Sequence, residues 1–173
     1  MQYAFKRGRK SLSSSNEAKS EHEAIPASLF HPGHYIRRLH QISVSIFLKE
    51  AEHFQITNVQ YAALGVIQHM PGLDQQRLGR LIALDRQNVS DVVKRLCDKG
   101  LVERRRKDGR TNALYLTDLA RARLRPMATR LAVVDDVILK PLPAKDRQTF
   151  MAMLVTLVEG NNNLSRAPHG AER

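Results

Sequence analysis

The sequence predicts a mainly α-helical protein with one short β-hairpin. Apolar residues recur at helical spacing through most of residues 34–158. The alternation of apolar and polar residues that is typical of a strand is confined to residues 101–116. The chain has 9 glycines and 7 prolines among 173 residues, and no internal repeat is visible. This length fits one domain of ordinary size with tails.

The composition favours a polyanionic partner. Lysine and arginine total 28 against 17 aspartate and glutamate residues, which gives a formal charge of +11 at pH 7. Such an excess is typical of proteins that bind nucleic acid or an anionic membrane surface. The single cysteine excludes an internal disulfide and fits a reducing compartment. No apolar run is long enough to span a membrane, and no apolar segment of a secretory signal follows the basic N-terminus. We therefore expect a cytoplasmic protein without a membrane partner.

Residues 1–30 are predicted to form a disordered tail, because they carry no periodic apolar pattern. Residues 6–10 are a basic cluster, and residues 11–20 are polar and rich in serine. Two interpretations stay open for this segment. It adds phosphate contacts as a flexible arm, or it is only a solubilising extension.

The first predicted helix, residues 34–54, has an apolar face too wide to cover a single partner. We therefore expect it to contact a second subunit as well as its own domain. The face consists of two adjacent stripes: Tyr35, Leu39, Ile42 and Ile46, and Ile36, His40, Ser43 and Phe47.

Two further helices are predicted before residue 85. Thr57 is a suitable N-cap for a helix over residues 58–70, which Pro71 and Gly72 end. A shorter helix follows over residues 73–84. The predicted core positions are Val59, Ala62, Ala63, Val66 and Ile67 in the first of these helices, and Leu78, Leu81 and Ile82 in the second.

Residues 85–99 give the strongest helical signal in the chain. Asp85 can cap the first turn, and Gly100 can close the last. A tight turn joins this helix to the preceding one, and its opposite face is polar, which is the arrangement of a helix-turn-helix whose second helix reads a major groove. An ordinary solvated face is the alternative. The apolar stripe is Val89, Val92, Val93, Leu96 and Cys97.

A basic β-hairpin is predicted directly after this helix. The Asp108-Gly109 pair is a strong turn signal between the two strand-like runs. A hairpin in this place is a wing, and Arg110 at its tip can enter the narrow minor groove, where the potential is most negative. We interpret Asp108 as the partner that orients Arg110. A solvated run of charges is the alternative.

Two helices are predicted after the hairpin. Thr117 can cap a helix that reaches residue 139, in which Pro126 should produce a kink. The last helix covers residues 144–158 and carries an apolar stripe. Terminal helices with wide apolar faces suit a dimer interface. The stripe of the last helix is Phe150, Met151, Leu154, Leu157 and Val158.

Two segments together resemble the MarR family of bacterial transcriptional regulators. They are residues 74–90, DQQRLGRLIALDRQNVS, and residues 96–104, LCDKGLVER. Asp108-Gly109-Arg110, followed by residues 114–117, resembles the Asp-x-Arg wing of that family and the entry to its next helix. The family often has a charged residue where Gly109 stands, and the long N-terminal tail is not a general family feature.

The resemblance covers residues 32–158 and implies a fold, a partner and a ligand. It implies a winged helix-turn-helix over about residues 57–117, with dimerisation helices over about 34–54 and 117–158, between tails at 1–30 and 159–173. It also implies a small phenolic or aromatic-acid effector, bound between the dimer helices and the winged domain. The predicted function is a homodimeric repressor of an inverted-repeat operator, which the effector releases from DNA.

These predictions assign roles to individual residues. Base contacts are predicted for Gln87, Asn88 and Ser90, and a minor-groove contact for Arg110. Phosphate contacts are predicted for Arg86, Lys94, Arg95, Arg104, Arg105, Arg106 and Lys107. Candidates for the effector pocket are Tyr35, Arg38, His40 and Tyr61, since arginine and histidine near an aromatic ring can hold a carboxylate. For each of these four alone, an ordinary core or surface role is the alternative.

The sequence contains no signature of an enzyme. It has no metal-spaced set of cysteine and histidine, no glycine-rich phosphate loop and no nucleophile motif, so we expect neither catalysis nor a cofactor. Two other regulatory functions remain as alternatives. One is a redox-sensing regulator that uses Cys97, although a small core hydrophobe is the simpler interpretation of that residue. The other is a ligand-independent architectural protein that coats DNA through its charge.

Overall fold

The computed structural model describes Pro26, residues 29–108, residues 111–165 and Pro168. The described part is mainly α-helical and contains a two-stranded antiparallel sheet, so the predicted fold class is confirmed. None of the described helices is long and apolar enough to cross a membrane. The elements are α1 (Pro32–Ala51), α2 (Asn58–His69), α3 (Gln75–Leu81), α4 (Arg86–Asp98), β1 (Val102–Asp108), β2 (Thr111–Leu116), α5 (Asp118–Leu139) and α6 (Ala144–Gly160).

Side-chain caps fix the starts of the helices that surround the hairpin. The predicted caps Thr57, Asp85 and Thr117 each accept a hydrogen bond from the backbone N–H three residues later. Thr57 forms a full capping box, because the Gln60 side chain accepts in return from the Thr57 N–H. At the other end of α4, Gly100 has φ +66, the left-handed conformation predicted for its position.

Two predicted helices, α1 and α3, differ from the structure at both ends. α1 begins at Pro32, and its last residues, Glu52–Phe54, form a separate 3-10 turn. α3 is shorter than predicted, because Asp74 acts as its N-cap and Ala83 adopts φ +55, which no helix continues through.

The core lies where α2, α3, α4 and β2 meet and extends between α1 and α5. One predicted core position is wrong: Ala62 is exposed, whereas Leu64, which the pattern did not single out, is fully buried. The buried face of α2 consists of Gln60, Ala63, Leu64 and Ile67. The polar Gln60 lies on this buried face, and its side-chain oxygen is used in the capping box.

The hairpin is attached to the loop between α2 and α3. Strands β1 and β2 are antiparallel, with Val102 opposite Leu116 and an irregularity between Arg106 and Asp108. The N–H of Gly72 donates to the carbonyl of Leu114 at 2.9 Å, and the N–H of Leu114 donates to the carbonyl of Leu73 at 2.9 Å. These two bonds fix the base of the hairpin against the helical core.

The last two helices differ in how far they are buried. α5 buries Leu124, Met127, Leu131 and Val134 and packs along α1, and it continues through Pro126. α6 has no buried residue: Phe150 and Leu154 are half-buried, and the rest of its predicted apolar stripe, Met151, Leu157 and Val158, is exposed. The apolar stripe of α6 is therefore not part of the core of a single chain. The kink at Pro126 stays a prediction.

Candidate nucleic-acid interface

α3 and α4 pack closely against each other at the turn that joins them. The N–H of Leu84 donates to the carbonyl of Gly79 at 2.8 Å, which closes the turn between the helices. A Cβ at Gly79 would lie 3.0 Å from the Leu84 carbonyl oxygen and 3.2 Å from Val89 Cγ1, so a larger residue would push the helices apart. The contact at Gly79 therefore limits how far apart α3 and the start of α4 lie.

α4 presents a polar surface opposite its buried stripe. Val89, Val93 and Leu96 are buried, and Val92 and Cys97 are half-buried against the core. Most of the predicted DNA-contacting residues of this helix are exposed, and Ser90 is half-buried. The exposed ones are Arg86, Gln87, Asn88, Lys94 and Arg95. Their contacts with DNA stay predictions, but their side chains are free of the core.

The Asn88 side chain is engaged by the cap of its own helix. Asp85 Oδ1 accepts from the Asn88 backbone N–H at 2.9 Å, and Asp85 Oδ2 accepts from the Asn88 side-chain amide at 2.8 Å. An asparagine that reads adenine uses both its amide donor and its carbonyl acceptor. The base contact predicted for Asn88 would therefore require its amide to leave Asp85 Oδ2. The sequence pattern did not indicate this contact.

Lys94 is also paired on the surface of α4. Its ammonium group donates to Asp98 Oδ2 at 2.9 Å, one helical turn away. The hydrogen bond and the charge of Asp98 raise the pKa of Lys94. Exposed pairs of this kind contribute little to stability, so the contact with Asp98 does not exclude the phosphate contact predicted for Lys94.

The arginines of β1 project from the wing next to α4. Arg104, Arg105 and Arg106 are exposed. Arg105 forms an ion pair with Glu103, and its guanidinium carbon lies 4.6 Å from the centre of the Tyr115 ring. These two contacts therefore hold the Arg105 guanidinium group in one orientation in the protein without DNA.

The tip of the wing is described only in part. β1 includes the backbone of Lys107 and Asp108, whose side chains lie outside the described residues. Gly109 and Arg110 lie wholly outside them. The predicted contact of Arg110 with the minor groove and its orientation by Asp108 therefore stay predictions.

The four predicted effector-binding residues do not form one cluster in a single chain. Tyr35 is 42% exposed, and its ring contacts Phe30 and His34. Arg38 and His40 are exposed on α1, so His40 is not a core histidine. Tyr61 is half-buried, with its ring centre 5.9 Å from that of Phe47.

The start of α1 nevertheless has cationic character. The pKa of His34 is lowered, first by desolvation and then by the charges of Arg38 and Arg37. Two guanidinium groups near an imidazole and an aromatic ring favour an anionic aromatic ligand.

Two cavities beside the long helices were not indicated by the sequence. One, of about 780 Å³, lies between α1 and α5 and is bordered by Glu50, Arg125 and Val133. Beside it, Arg130 Nε lies 2.9 Å from Glu50 Oε2. The other, of about 870 Å³, lies between α3 and the end of α6, where Leu81 and Val158 face the same space. None of the four effector candidates borders either cavity.

Cys97 lies half-buried on the core side of α4. Burial raises the pKa of its thiol, although the nearby Arg104 acts in the opposite direction. A raised pKa reduces the thiolate fraction, which is the reactive form. This environment favours a packing role for Cys97. Within the described residues, no group of three or more histidine, cysteine or acidic side chains is placed to hold a metal ion.

Comparison with known proteins places this geometry in a family. A model described as the MarR family matches residues 54–111, from the turn before α2 to the start of β2. The crystal structure of the PcaV transcriptional regulator from Streptomyces coelicolor is 33% identical in sequence, with a TM-score of 0.65, over 77% of this chain and 98% of PcaV. The chain belongs to the MarR family. It is therefore a transcriptional regulator of the winged helix-turn-helix class, and the resemblance read from residues 74–104 is confirmed.

Two further members are similar over most of their length. The HTH-type transcriptional repressor NicR from Pseudomonas putida is 24% identical over 133 residues, which are 76% of this chain and 84% of NicR. The transcriptional repressor CouR, bound to a 23-mer DNA duplex, is 26% identical, with a TM-score of 0.69, over 74% of this chain and 92% of CouR. Other structures contain CouR bound to p-coumaroyl-CoA and PcaV in complex with its natural ligand.

Proposed function

We propose that this MarR-family protein is a homodimeric repressor that binds an inverted-repeat operator and leaves it when a small aromatic acid binds. The observation that carries the proposal is the exposed polar surface of α4 beside the arginines of β1, on a helix whose opposite face is buried. CouR, which is similar in sequence and fold, has been captured on a DNA duplex.

The exposed apolar side chains of the terminal helices support a dimer. α6 buries none of its residues in a single chain, and Val158 on it is 68% exposed. α1 exposes Ile36 and Leu48 in the same way. Apolar surface of this extent is typical of an interface rather than of a monomer. A two-fold dimer would place its α4 helices in successive major grooves, about 10–10.5 base pairs apart.

The residue roles follow from this docking. Gln87, Asn88 and Ser90 would face base edges, and Arg86, Lys94 and Arg95 would hold phosphates beside them. The wing residues from Arg104 to Lys107 would follow the backbone towards the minor groove, where Arg110 would insert.

An anionic aromatic effector is supported by two observations. Arg37 and Arg38 create a cationic environment at the start of α1, and the similar proteins PcaV and CouR have been captured with ligands. Binding would release DNA only if the effector prefers the conformation whose α4 helices do not match the operator. Since the proposed partner is operator DNA, we also propose a cytoplasmic location.

A selection experiment tests this function. Duplexes enriched by the full-length protein from a randomised pool are compared with scrambled duplexes by fluorescence anisotropy at physiological salt. We expect a palindromic consensus that is bound at least about 10³-fold more tightly than scrambled DNA. Two aromatic acids, salicylate and 6-hydroxynicotinate, are then added to the complex with the palindromic duplex, and benzyl alcohol serves as the uncharged control. We expect the two acids, but not benzyl alcohol, to release the DNA. Equal affinity for all duplexes would instead identify a ligand-independent architectural protein.

A further inference from the structure

The C-terminal end of α4 is tied to the junction between α1 and α2 by one side chain. Lys99 is the C-cap of α4, and its ammonium group donates to the backbone carbonyl of Gln55. The same ammonium lies 3.4 Å from Gln60 Oε1. These contacts join segments that are 44 and 39 residues apart in the sequence.

Several independent contacts hold the α1–α2 junction, residues 55–60, which provides the acceptors for Lys99. Gln55 adopts φ +54, a left-handed conformation that turns the chain sharply after the 3-10 turn. Ile56, the next residue, is buried in the core. Thr57 and Gln60 close the capping box of α2, and Gln60 is only 4% exposed, as the one buried polar residue of the described part. Lys99 is therefore held by acceptors whose own positions are fixed.

The same junction is tied to the long helices on its other side. Glu50, which precedes it on α1, has a side chain that is only 19% exposed, and its Oε2 lies 2.9 Å from Arg130 Nε on α5. α1 and α5 also pack along each other. Glu50 thus connects the last turn of α1 to α5, and Lys99 connects the junction that follows α1 to the end of α4.

Lys99 is poorly placed to contact DNA itself. It lies 13 residues after Arg86, which corresponds to about 20 Å along a helix. In helix-turn-helix proteins, the bases are read mainly by the N-terminal part of the recognition helix. The ammonium group of Lys99 is directed at the α1–α2 junction, where its acceptors lie.

We propose that Lys99 is a positioning residue for operator recognition. By fixing α4 to the end of α1, it sets how far apart the two α4 helices of a dimer stand, and hence which half-site spacing the protein accepts. This inference rests on the proposed function, because it assumes a dimer that reads a two-fold operator.

The test uses Lys99→Gln, with Lys99→Arg as the conservative variant and Lys140→Gln as the matched control. Lys140 is an exposed lysine at the C-cap of α5, so its substitution removes the same charge outside α4 and the α1–α2 junction. Each full-length variant is titrated with the duplex selected by the wild-type protein, with versions whose half-sites are moved apart or together by one base pair, and with scrambled DNA.

We expect Lys99→Gln to weaken binding to the selected duplex by up to about fivefold, because the energy of one solvent-accessible charge-assisted hydrogen bond is the most that its loss can remove from the DNA-matched arrangement. Its preference for the selected spacing over the altered ones should fall, while its affinity for scrambled DNA and its salt slope stay unchanged. Lys99→Arg should restore the spacing preference, because guanidinium can donate to the same carbonyl. Lys140→Gln should behave like the wild type.

Three outcomes would overturn the inference. An equal loss on selected and scrambled DNA, with a salt slope smaller by about one, would identify Lys99 as a phosphate contact. An unchanged spacing preference in Lys99→Gln, with or without a lowered melting temperature, would show that the contacts of Lys99 have no positioning role. If the wild-type protein itself selects no two-fold duplex, the proposed function fails, and the inference fails with it.

Discussion

Replacing Asp85 by alanine tests whether the recognition helix α4 starts where the structure places it. The Asp85 carboxylate accepts from the Asn88 backbone N–H at 2.9 Å and from the Asn88 side-chain amide at 2.8 Å. Alanine removes both acceptors and leaves an N-terminal N–H of the helix without a side-chain partner. Asparagine at the same position keeps a side-chain oxygen and is as good an N-cap.

The expected cost follows from these contacts. Loss of an N-cap lowers the free energy of unfolding by about 0.5–2 kcal/mol, and Asp85 is exposed, so we expect about 1 kcal/mol. For a chain of this size, that loss corresponds to a decrease of about 2–4 °C in the melting temperature. Asp85→Asn should lose less than half as much, because its side-chain oxygen still accepts from the Asn88 backbone N–H, and only the second acceptor and the charge next to the helix dipole are lost.

Urea denaturation followed by circular dichroism measures this difference. All variants are compared at one protomer concentration, since the apparent stability of a dimer depends on concentration. We expect a lower midpoint for Asp85→Ala with an unchanged slope, and a midpoint near that of the wild type for Asp85→Asn. If Asp85→Ala is as stable as the wild type, or if both variants lose the same amount, Asp85 is not the cap.

Four further predictions concern the core, the wing and the thiol. Leu64→Ala should lower the free energy of unfolding by about 2–5 kcal/mol, because Leu64 is fully buried; a loss below 1 kcal/mol in urea denaturation would contradict its placement. Gly72→Ala should cost about 1–3 kcal/mol, since Gly72 has φ +85 and a Cβ there would lie 2.8 Å from Tyr115 Oη. Adding Tyr115→Phe should recover part of that loss, and purely additive effects would exclude the contact. Cys97 should react with iodoacetamide at pH 8 more slowly than glutathione does, because burial raises its pKa and lowers its thiolate fraction; an equal or faster rate would refute this. Arg110→Ala should weaken binding to the selected duplex at least tenfold, or about 1.4 kcal/mol, and full affinity at physiological salt would argue against the wing contact.

Local sequence signals predicted the elements well. Thr57, Asp85 and Thr117 were recognisable as caps because an N-cap depends on one side chain and the backbone three residues later. The left-handed Gly100 was predictable for a similar reason. The order of helices and hairpin follows directly from such signals.

Features that depend on tertiary contacts were not predictable from the pattern. Ala62 was predicted as a core residue and is exposed, whereas Leu64 was not singled out and is buried. Leu64 shares its buried face with Gln60, a polar residue that a pattern of apolar positions does not include. The contact between Lys99 and Gln55 joins residues 44 positions apart, and no local pattern indicates it.

The sequence predicted the surface of α4 in the candidate site, but it did not predict how the effector candidates are arranged. The polar face of α4 was found because helical periodicity separates it from the buried stripe. The effector candidates Tyr35, Arg38 and Tyr61 came from residue chemistry alone, and a single chain does not bring them together.

Hydroxyl-radical footprinting on the selected duplex tests the central claim most directly, because it maps where both α4 helices and both wings lie. We predict two protected segments related by a two-fold axis, with their centres about 10–10.5 base pairs apart and protected minor grooves on their outer sides. Uniform protection along the duplex, or a single protected segment without a symmetric counterpart, would contradict the claim that paired recognition helices and wings hold the DNA.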